Sequence, residues 1–472
     1  MSDTGITERK FCRDGLWPGL TAGLEGFLVR HRRQVTYIHL AMFVLFAVLM
    51  VGPLLLPPPT AQSGIFDNLT RFANFAVWGL WFPLVFLSVV FAGRSWCGLL
   101  CPMGAASEWA NRVGPRWAIP RWVQWSGTPI VSFILVTIWA QTVGARDHAL
   151  AMTIVFGSTL SAALLLGFFF GRGKRAWCRH MCPIGLLLGV YSRIGALDFR
   201  PKRPEPGGDR WTERTACPTM IDLDRKTESR HCIACYRCVS PAARGGLYLR
   251  LRRPGAELTA IRDHHPDLAE VMFLFMGTGA ALGGFLWLVL ASFQSLRLTL
   301  GNWAIGHGWY WVGSPGPVWL MAVYPAQREV FRWLDFLLIS GYILAWTVAT
   351  TIVMGGATAA ASWLSGRLGG DRSFAERFIE LGYQFLPVAM VSLLLGLGSE
   401  LFAVAAGGLG HPAIAGVKAT LFAFGTLWTL QLGERLLARQ GVPARWRWLA
   451  MIPGLLGTVA VGAAWYPAVF FT

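Results

Sequence analysis

The sequence predicts an all-α polytopic membrane protein with about nine transmembrane helices and one small polar insert. The 472 residues are 54% hydrophobic and only 14% charged, and the mean hydropathy is +0.47. A soluble domain carries about 25% charged residues. Apolar runs of about 20 residues, the length that crosses a bilayer, recur along the whole chain. Together these observations exclude a disordered chain, a coiled coil and a typical cytosolic enzyme.

The apolar runs divide the chain into four regions. The predicted spans lie at 35–57, 72–93, 127–144, 149–170, 270–295, 333–356, 380–406, 414–433 and 447–469. We predict a tail at 1–34, a four-helix membrane core at 35–195, a polar insert at 196–265 and a C-terminal membrane domain of about five helices at 266–472. The first apolar run is long enough to span the bilayer, so it is interpreted as an anchor and not as a cleaved signal peptide.

The distribution of basic residues predicts the orientation. The net charge is +17, and the Lys and Arg residues flank the apolar runs, above all in 1–34, 94–121, 172–179 and 200–253. The positive-inside rule places these segments in the cytoplasm, where they would contact anionic lipid. An odd number of spans then leaves the C-terminus in the periplasm. We predict a bacterial inner-membrane protein that contacts lipid and does not bind nucleic acid.

An internal repeat organises four of the nine cysteines. The segment RSWCGLLCPMG (94–104) matches RAWCRHMCPIG (175–185) at an offset of 81 residues, and each copy follows a span of the same direction. Repeats of this kind are related by an axis along the membrane normal. We therefore expect four cysteines to meet at the cytoplasmic rim: Cys97, Cys101, Cys178 and Cys182.

The chemistry of these C-x3-C-P cysteines leaves several roles open. The proline after Cys101 and Cys182 suits the first turn of a helix, whose dipole favours a thiolate. Arg94, Arg175 and Arg179 favour the same state. The four cysteines are candidate catalytic, redox-active residues and candidate ligands of a metal or second cluster. The alternative is a set of reduced, packed cysteines.

A second cysteine pattern lies in the polar insert. CIACYRC (232–238) supplies the first three cysteines of the bacterial ferredoxin run C-x2-C-x2-C-x3-C-P, but Ala242 stands at the fourth position. Cys217-Pro218 is an isolated C-P pair upstream. Because the fourth cysteine of such a run ligates the other cluster in two-cluster ferredoxins, we predict one [4Fe–4S] cluster, a ferredoxin-like site with Cys217, Cys232, Cys235 and Cys238 as its metal and cofactor ligands. Four-cysteine zinc is the alternative. Cys12 belongs to neither set and is predicted to be a free thiol.

The doubled C-x3-C-P motif followed by this ferredoxin segment, over about 35–250, resembles the NapH/NosR family of membrane polyferredoxins. The resemblance assigns both cysteine sets to the family's motifs and implies electron transfer between a quinol pool or cytoplasmic donors and periplasmic metal chemistry. The sequence departs from the family by retaining ligands for one ferredoxin cluster, by lacking a flavin-binding domain and by adding about five spans. In its size and in the added membrane half, the sequence is closer to the FtrD-like ferredoxins of bacterial iron-uptake systems.

We therefore expect an electron-transfer component of an oxidoreductase system that passes electrons to or from a periplasmic redox or metal-binding partner and supports iron uptake. A membrane permease or reductase subunit is a further expected partner, and quinol a further expected cofactor. The alternative functions are a metal-ion permease and a redox-sensing assembly factor.

Other residues give weaker signals. His39 is interpreted as a hydrogen-bonded core residue, the outer His148, His307 and His411 as a metal or partner site or as solvated side chains, and Glu380, Gln384, Glu400 and Gln431 as proton or cation carriers.

Overall fold

The computed structural model describes residues 15–60, 63–202, 216–239 and 246–470. Cys12, Ala242 and the insert segments 203–215 and 240–245 lie outside the described residues. The described chain is mostly helical, with two small two-stranded sheets. This confirms the predicted all-α polytopic fold.

The helices of the N-terminal half are long where the sequence is apolar and short around the cysteine motifs. They are α1 (Pro18–Arg30), α2 (Val35–Leu55), α3 (Leu69–Asn74), α4 (Phe82–Ala92), α5 (Ser95–Leu99), α6 (Pro102–Val113), α7 (Arg121–Gln124), α8 (Thr128–Thr142), α9 (Ala149–Phe169), α10 (Ala176–His180) and α11 (Gly185–Ser192). A π-helical stretch, Phe75–Trp81, joins α3 to α4.

The helices of the C-terminal half are longer. They are α12 (Ala256–Thr259), α13 (Leu268–Val289), α14 (Ala291–Gly306), α15 (Trp333–Arg367), α16 (Phe374–Gly382), α17 (Leu386–Leu397), α18 (Ser399–Leu409), α19 (His411–Arg439) and α20 (Ala444–Phe470). In this half α13 packs against α15 and α17, and α20 packs against α15 and α19. The resulting core contains large, fully buried side chains such as Trp465 and Phe275.

Eight described helical segments are long and apolar enough to cross a membrane, by length and composition, when Leu69–Ala92 (α3 to α4) and Phe374–Leu397 (α16 to α17) are each counted as one segment. They correspond to eight of the nine predicted spans. The third predicted span, 127–144, is instead the 15-residue helix α8, which is about 22 Å long and shorter than a bilayer core of about 30 Å. It ends where Gly144 adopts a positive φ of 71° and the amide of Ala145 donates to the carbonyl of Ala140 at 2.9 Å, as glycine commonly does at a helix C-terminus.

The polar insert and the N-terminal tail form one small unit. Strand β1 (Leu197–Pro201) pairs antiparallel with β2 (Leu247–Leu251). The tail helix α1 packs on β2, where the carboxylate of Glu25 accepts from the amide of Leu249 at 3.1 Å. Asp198 of β1 is buried between Lys226, Arg200 and Arg250. The tail predicted as a separate region is therefore packed against the insert.

The two ends of the helical bundle are distinct. At one end, Arg262 pairs with Asp371 at 2.8 Å, and the amide of Asp371 donates to Gln440, just after α19. The opposite end carries the connections after α8 and α17, where Arg146 donates to Ser399 at 2.8 Å. Because α20 starts beside the Arg262 end and runs the length of the bundle, the end of α20 lies opposite α1 and the insert.

Buried ion pairs join the membrane core, the insert and the C-terminal half. Arg193, which is fully buried after α11, pairs with Glu257 at 2.9 Å and with Glu270 of α13 at 2.7 Å. Arg252 pairs with the other oxygen of Glu257 at 2.6 Å. Tyr383 also donates to Glu270. One connected network of charges therefore contacts all three regions.

Candidate iron–sulfur site

The four cysteines of the ferredoxin set lie around one cavity. Cys217, Cys232, Cys235 and Cys238 all line it, together with mostly apolar neighbours. None of them is in a disulfide. Among the described residues, no group of three or more His, Cys, Asp or Glu side chains lies close enough to hold a single ion. Four cysteine thiols are the ligand set of a [4Fe–4S] cluster, and the cavity that they share is where these residues would hold one.

The loop that carries three of these cysteines has a backbone conformation that curves around the shared cavity. Ala234 and Tyr236, which alternate with the cysteines, have positive φ values of 48° and 59°. This conformation turns backbone N–H groups toward the sulfurs, and the amides of Ala234 and Arg237 lower the pKa of Cys232 and Cys235 against the larger effect of burial. Such concave arrangements of amides bind anions, including iron–sulfur centres.

The two C-x3-C-P copies have the same local structure. The carbonyl of Trp96 accepts from the amides of Leu100 and Cys101, both at 2.9 Å, and the carbonyl of Trp177 accepts from Met181 at 3.1 Å and Cys182 at 2.9 Å. The four cysteines line one apolar cavity of about 190 Å³ inside the bundle. The copies thus bring Cys97, Cys101, Cys178 and Cys182 to one place, as the repeat predicts.

The helix positions of the two proline-flanked cysteines differ. Cys101 caps α6 with Pro102 in the first turn, which confirms the prediction for this copy. Cys182 instead precedes α11 by a turn, because the amide of Gly185 donates to the carbonyl of Cys182 at 2.9 Å and the helix starts only at Gly185. The prediction that Cys182 caps a helix is therefore wrong.

The expectation that these thiols are readily ionised is also wrong for the free side chains. Burial, followed by the neighbouring Cys97, raises the pKa of Cys101 to about 11. Burial raises the pKa of Cys178 to about 12, although Arg175 opposes it. Desolvation outweighs the helix dipole and the arginines in this apolar cavity. Binding of a metal or cluster would have to release these protons.

Each C-x3-C-P copy holds one part of the ferredoxin ligand set. In the second copy, the amide of Arg175 donates to Pro218 at 2.7 Å, and Lys174 donates to the carbonyl of Cys217 at 3.0 Å. In the first copy, Arg94 donates to the carbonyl of Arg230 at 2.6 Å, two residues before Cys232. The first copy of the repeat therefore binds the insert near Cys232, and the second copy binds it at Cys217.

The two cysteine sets meet at Gly98 and Glu108. A Cβ on Gly98 would lie 2.2 Å from the carbonyl oxygen of Ile233 and 2.9 Å from the backbone of Cys235. Glu108 receives Arg175 of the second copy at 2.7 Å and Arg237 of the ferredoxin run at 2.8 Å. Burial alone would raise the pKa of Glu108, but Arg175 and Arg237 lower it to about 2.

Sequence reasoning missed Glu108 and Arg237 as elements of this junction. Gly189 occupies the position of Glu108 in the second copy, so the repeat does not mark the carboxylate. Arg237 stands between two cysteines of the ferredoxin run, but its partner is 129 residues away. The one sequence signal for this junction is the charged residue Arg237 inside the cysteine run.

The weaker candidates have structural contacts of their own. His39 is buried and bonds from Nε2 to the carbonyl of Gly98 at 3.0 Å, which confirms it as a hydrogen-bonded core residue. His148 pairs with Glu329 at 2.8 Å, whereas His307 bonds to a carbonyl of its own helix and is exposed. Glu380 is paired with Arg262 at 2.9 Å. Gln384 is buried between α19 and α20.

Comparison with known proteins places these motifs in a family. The 4Fe-4S binding domain family Fer4_5 matches twice, at residues 74–120 and 153–204, and each match contains one C-x3-C-P motif. The chain therefore carries an iron–sulfur binding segment. The ferredoxin set itself lies beyond both matches. No solved structure matches the chain.

Curated relatives match about a third of the chain. The putative electron transport protein YccM of Escherichia coli is 26% identical over 35% of this chain and 54% of its own length. The ferredoxin-type protein NapH of E. coli is 25% identical over 33% of this chain and 62% of its own length. The regulatory protein NosR of Pseudomonas aeruginosa is 25% identical over 33% of this chain and 26% of its own length.

The chain therefore spans less than two thirds of each of these relatives. The two matches to the 4Fe-4S binding domain family contain the doubled cysteine motif, most of the membrane helix before each copy and the start of the insert. The chain is similar to NapH and NosR over about a third of its length, and the 4Fe-4S binding domain family matches it at residues 74–120 and 153–204.

Proposed function

We propose that the protein transfers electrons between a [4Fe–4S] cluster held by Cys217, Cys232, Cys235 and Cys238 and a second redox centre at the C-x3-C-P cysteines. The observation that carries the proposal is the direct contact at Gly98, which joins the backbone beside Cys97 to the backbone of Cys235. A bound cluster would supply a one-electron carrier. The chain holds the two sites in contact and keeps them away from water.

The buried residues around the sites support this role. Cys217 and Cys238 are 6% and 8% exposed, and Cys97 and Cys178 are 9% and 6% exposed. Burial of the ligands lowers the local dielectric, so nearby charges and hydrogen bonds act strongly on the reduction potential. Arg175, fully buried, lies between both cysteine sets and Glu108. We assign to it the positioning of the C-x3-C-P loop.

The sidedness of the chain supports transfer across the membrane. The insert, α1 and both C-x3-C-P copies share one end, which the basic segments assign to the cytoplasm. The C-terminus of α20 would then face the periplasm of a bacterial inner membrane. We propose a periplasmic redox or metal-binding protein as the partner on that side, and a role in iron uptake, with a permease or reductase subunit as the membrane partner.

Quinol is a second candidate reactant, favoured by one observation. The cavity beside the C-x3-C-P cysteines extends between helices with an almost entirely apolar lining that includes Trp81, Phe82 and Phe156. Sites for lipophilic ligands are concave, apolar and located between helices of a bundle. Quinol-dependent reduction of the purified protein, and its loss on replacing Trp81 by Ala, would establish this reaction.

The test of the main proposal is the content of iron and acid-labile sulfide, with EPR, in protein purified without oxygen. We expect two centres. Cys235→Ser should remove the ferredoxin-type signal, whereas Cys97→Ser and Cys178→Ser should remove the other. Cys12→Ser, which belongs to neither set, is the matched control and should change nothing.

Other results would contradict the proposal. About four iron atoms, lost with Cys235→Ser alone, would leave the C-x3-C-P cysteines as thiols and restrict the protein to one cluster. Absence of iron with stoichiometric zinc, or metal flux through vesicles without redox change, would favour the metal-ion permease instead.

A further inference from the structure

The cavity at the C-x3-C-P cysteines contains buried hydrogen-bond donors that have no acceptor. The indole Nε1 atoms of Trp96 and Trp177 and the Nε of Arg94 are inaccessible to solvent and bond to no atom of the described residues. All three side chains line the same cavity as the four cysteines. A buried donor without an acceptor is unfavourable, so such groups in a folded protein indicate a missing partner.

The donors follow the symmetry of the cysteines. Trp96 directly precedes Cys97, and Trp177 directly precedes Cys178, at the repeat offset of 81 residues. Trp177 is 3% exposed, and Trp96 is held in place by an edge-on contact with Trp81 at 5.5 Å between ring centroids. Each copy of the repeat therefore supplies one cysteine pair and one tryptophan side chain to the lining of the same cavity.

The chemistry of the cavity identifies the acceptor. The lining is mostly apolar, so the described walls offer few oxygen acceptors other than Thr137, Gln141 and Thr159. The largest groups of electron-rich atoms in the cavity are the sulfurs of the four cysteines, together with any inorganic sulfide that they hold. Hydrogen bonds to such sulfurs are among the features that set the reduction potential of an iron–sulfur centre.

We propose that Trp96 and Trp177 are positioning residues that donate N–H···S hydrogen bonds to the centre held by Cys97, Cys101, Cys178 and Cys182. Arg94 adds a third donor from the same wall. The proposal rests on the second redox centre described above. These bonds stabilise the more negative, reduced state of the centre, so their removal lowers its reduction potential and leaves the ferredoxin-type cluster unchanged.

The test is a redox titration of the full-length protein in detergent, followed by EPR. Trp96→Phe and Trp177→Phe keep an aromatic ring and remove the donor. Each should shift the ratio of oxidised to reduced centre by about threefold to tenfold at a given potential, where tenfold corresponds to about 59 mV for one electron. Trp78→Phe is the matched control, because Trp78 lines the same cavity but its Nε1 donates to Ala145 at 3.3 Å.

A second measurement needs no substitution. Electron–nuclear double resonance of the unmodified protein in H₂O and D₂O should detect exchangeable protons close to the C-x3-C-P centre. Their absence would overturn the proposal even if the tryptophan variants do not fold. An unchanged potential in Trp96→Phe and Trp177→Phe, or an equal shift in Trp78→Phe, would also overturn it.

The two proposals fail in different ways. If Cys97→Ser and Cys178→Ser lose no iron, there is no second centre and both proposals are overturned. If these variants lose iron while the indole substitutions leave the potential unchanged, the second centre stands and its hydrogen bonding by tryptophan is refuted. A shift in quinol affinity without a shift in potential would assign the indoles to a quinol oxygen.

Discussion

At the scale of single residues, the junction between the two cysteine sets depends on a glycine, Gly98, and on a paired carboxylate, Glu108. Gly98 has no side chain, so the ferredoxin loop approaches its backbone closely. Glu108 neutralises two arginines that come from different segments. Gly98 is one of the three residues between the cysteines of the first C-x3-C-P motif, Glu108 lies outside it, and both determine how the motifs meet.

Gly98→Ala tests the close approach. The new Cβ would meet backbone atoms of Ile233 and Cys235, which cannot rotate away, so the insert must move. Overpacking of this kind costs about 1–3 kcal/mol. We expect a lower thermal midpoint and at least a tenfold slower electron transfer between the centres, measured by rapid-freeze EPR. Gly157→Ala is the control, since its Cβ would meet no atom within 4 Å. Equal rates in both variants would contradict the role of this contact.

Glu108→Gln tests the charge at the junction. The substitution leaves the fully buried Arg175 without its carboxylate and removes the partner of Arg237. Removing one member of a buried ion pair costs about 3–5 kcal/mol. We expect a lower thermal midpoint and easier loss of iron from the ferredoxin set to a chelator. Unchanged stability and iron retention would show that the carboxylate is dispensable.

At the scale of elements, the short helices α5 and α10 and the turns after them are the repeated units that carry the C-x3-C-P cysteines. They have the same length and the same pattern of backbone bonds around Trp96 and Trp177. The elements that follow differ, since α6 starts directly after Cys101 and α11 starts later. The repeat therefore conserves the placement of the cysteines while the flanking helices meet different neighbours.

The buried thiols of these elements predict a pH dependence of the iron-free protein. An unfolded cysteine has a pKa of about 8.5, whereas burial raises the pKa of Cys101 to about 11 and of Cys178 to about 12. The folded state then binds more protons than the unfolded state above pH 8.5, so stability is present below that pH and is lost as the pH rises toward 11–12. Thermal unfolding of iron-free protein from pH 8 to pH 11 measures this. The C101S/C178S double variant should lose less stability over that range.

At the scale of the whole molecule, buried charges connect the iron–sulfur half to the C-terminal half. The Arg193 network reaches Glu257 in the insert region and Glu270 in α13. Arg146 makes a second connection at the opposite end, through Ser399 and the carbonyl of Gly396 at 3.0 Å. The C-terminal helices are thus coupled to the insert, which accords with a role in docking or in completing the electron path.

Arg193→Met tests this coupling. Glu257 and Glu270 would lose the cation that they share and would keep Arg252 and Arg230, respectively, and removing one member of a buried ion pair costs up to about 3–5 kcal/mol. We expect a large fall in the thermal midpoint and cleavage of the chain near the insert by limited proteolysis. Arg112→Met is the matched control. Arg112 occupies the equivalent position in the first repeat copy, but it is 62% exposed and makes one weak pair with Glu108 at 3.4 Å. A similar loss in both variants would contradict the proposed coupling.

The sequence by itself determined the membrane class, the repeat and the identity of both cysteine sets. The length of an apolar run is a local property, and the spacing of cysteines is limited by the geometry of the metal site that they would form. Both can therefore be recognised from the sequence before the tertiary structure is known. The meeting of Cys97, Cys101, Cys178 and Cys182 also followed from the repeat, because symmetry relates distant segments. Only the tertiary structure decided that α8 is a short helix, that the thiols are strongly desolvated, and that Gly98 and Glu108 form the junction. The last two features depend on contacts between segments far apart in the chain, because burial and charge pairing arise only when those segments pack, whereas α8 ends at the local positive-φ turn of Gly144.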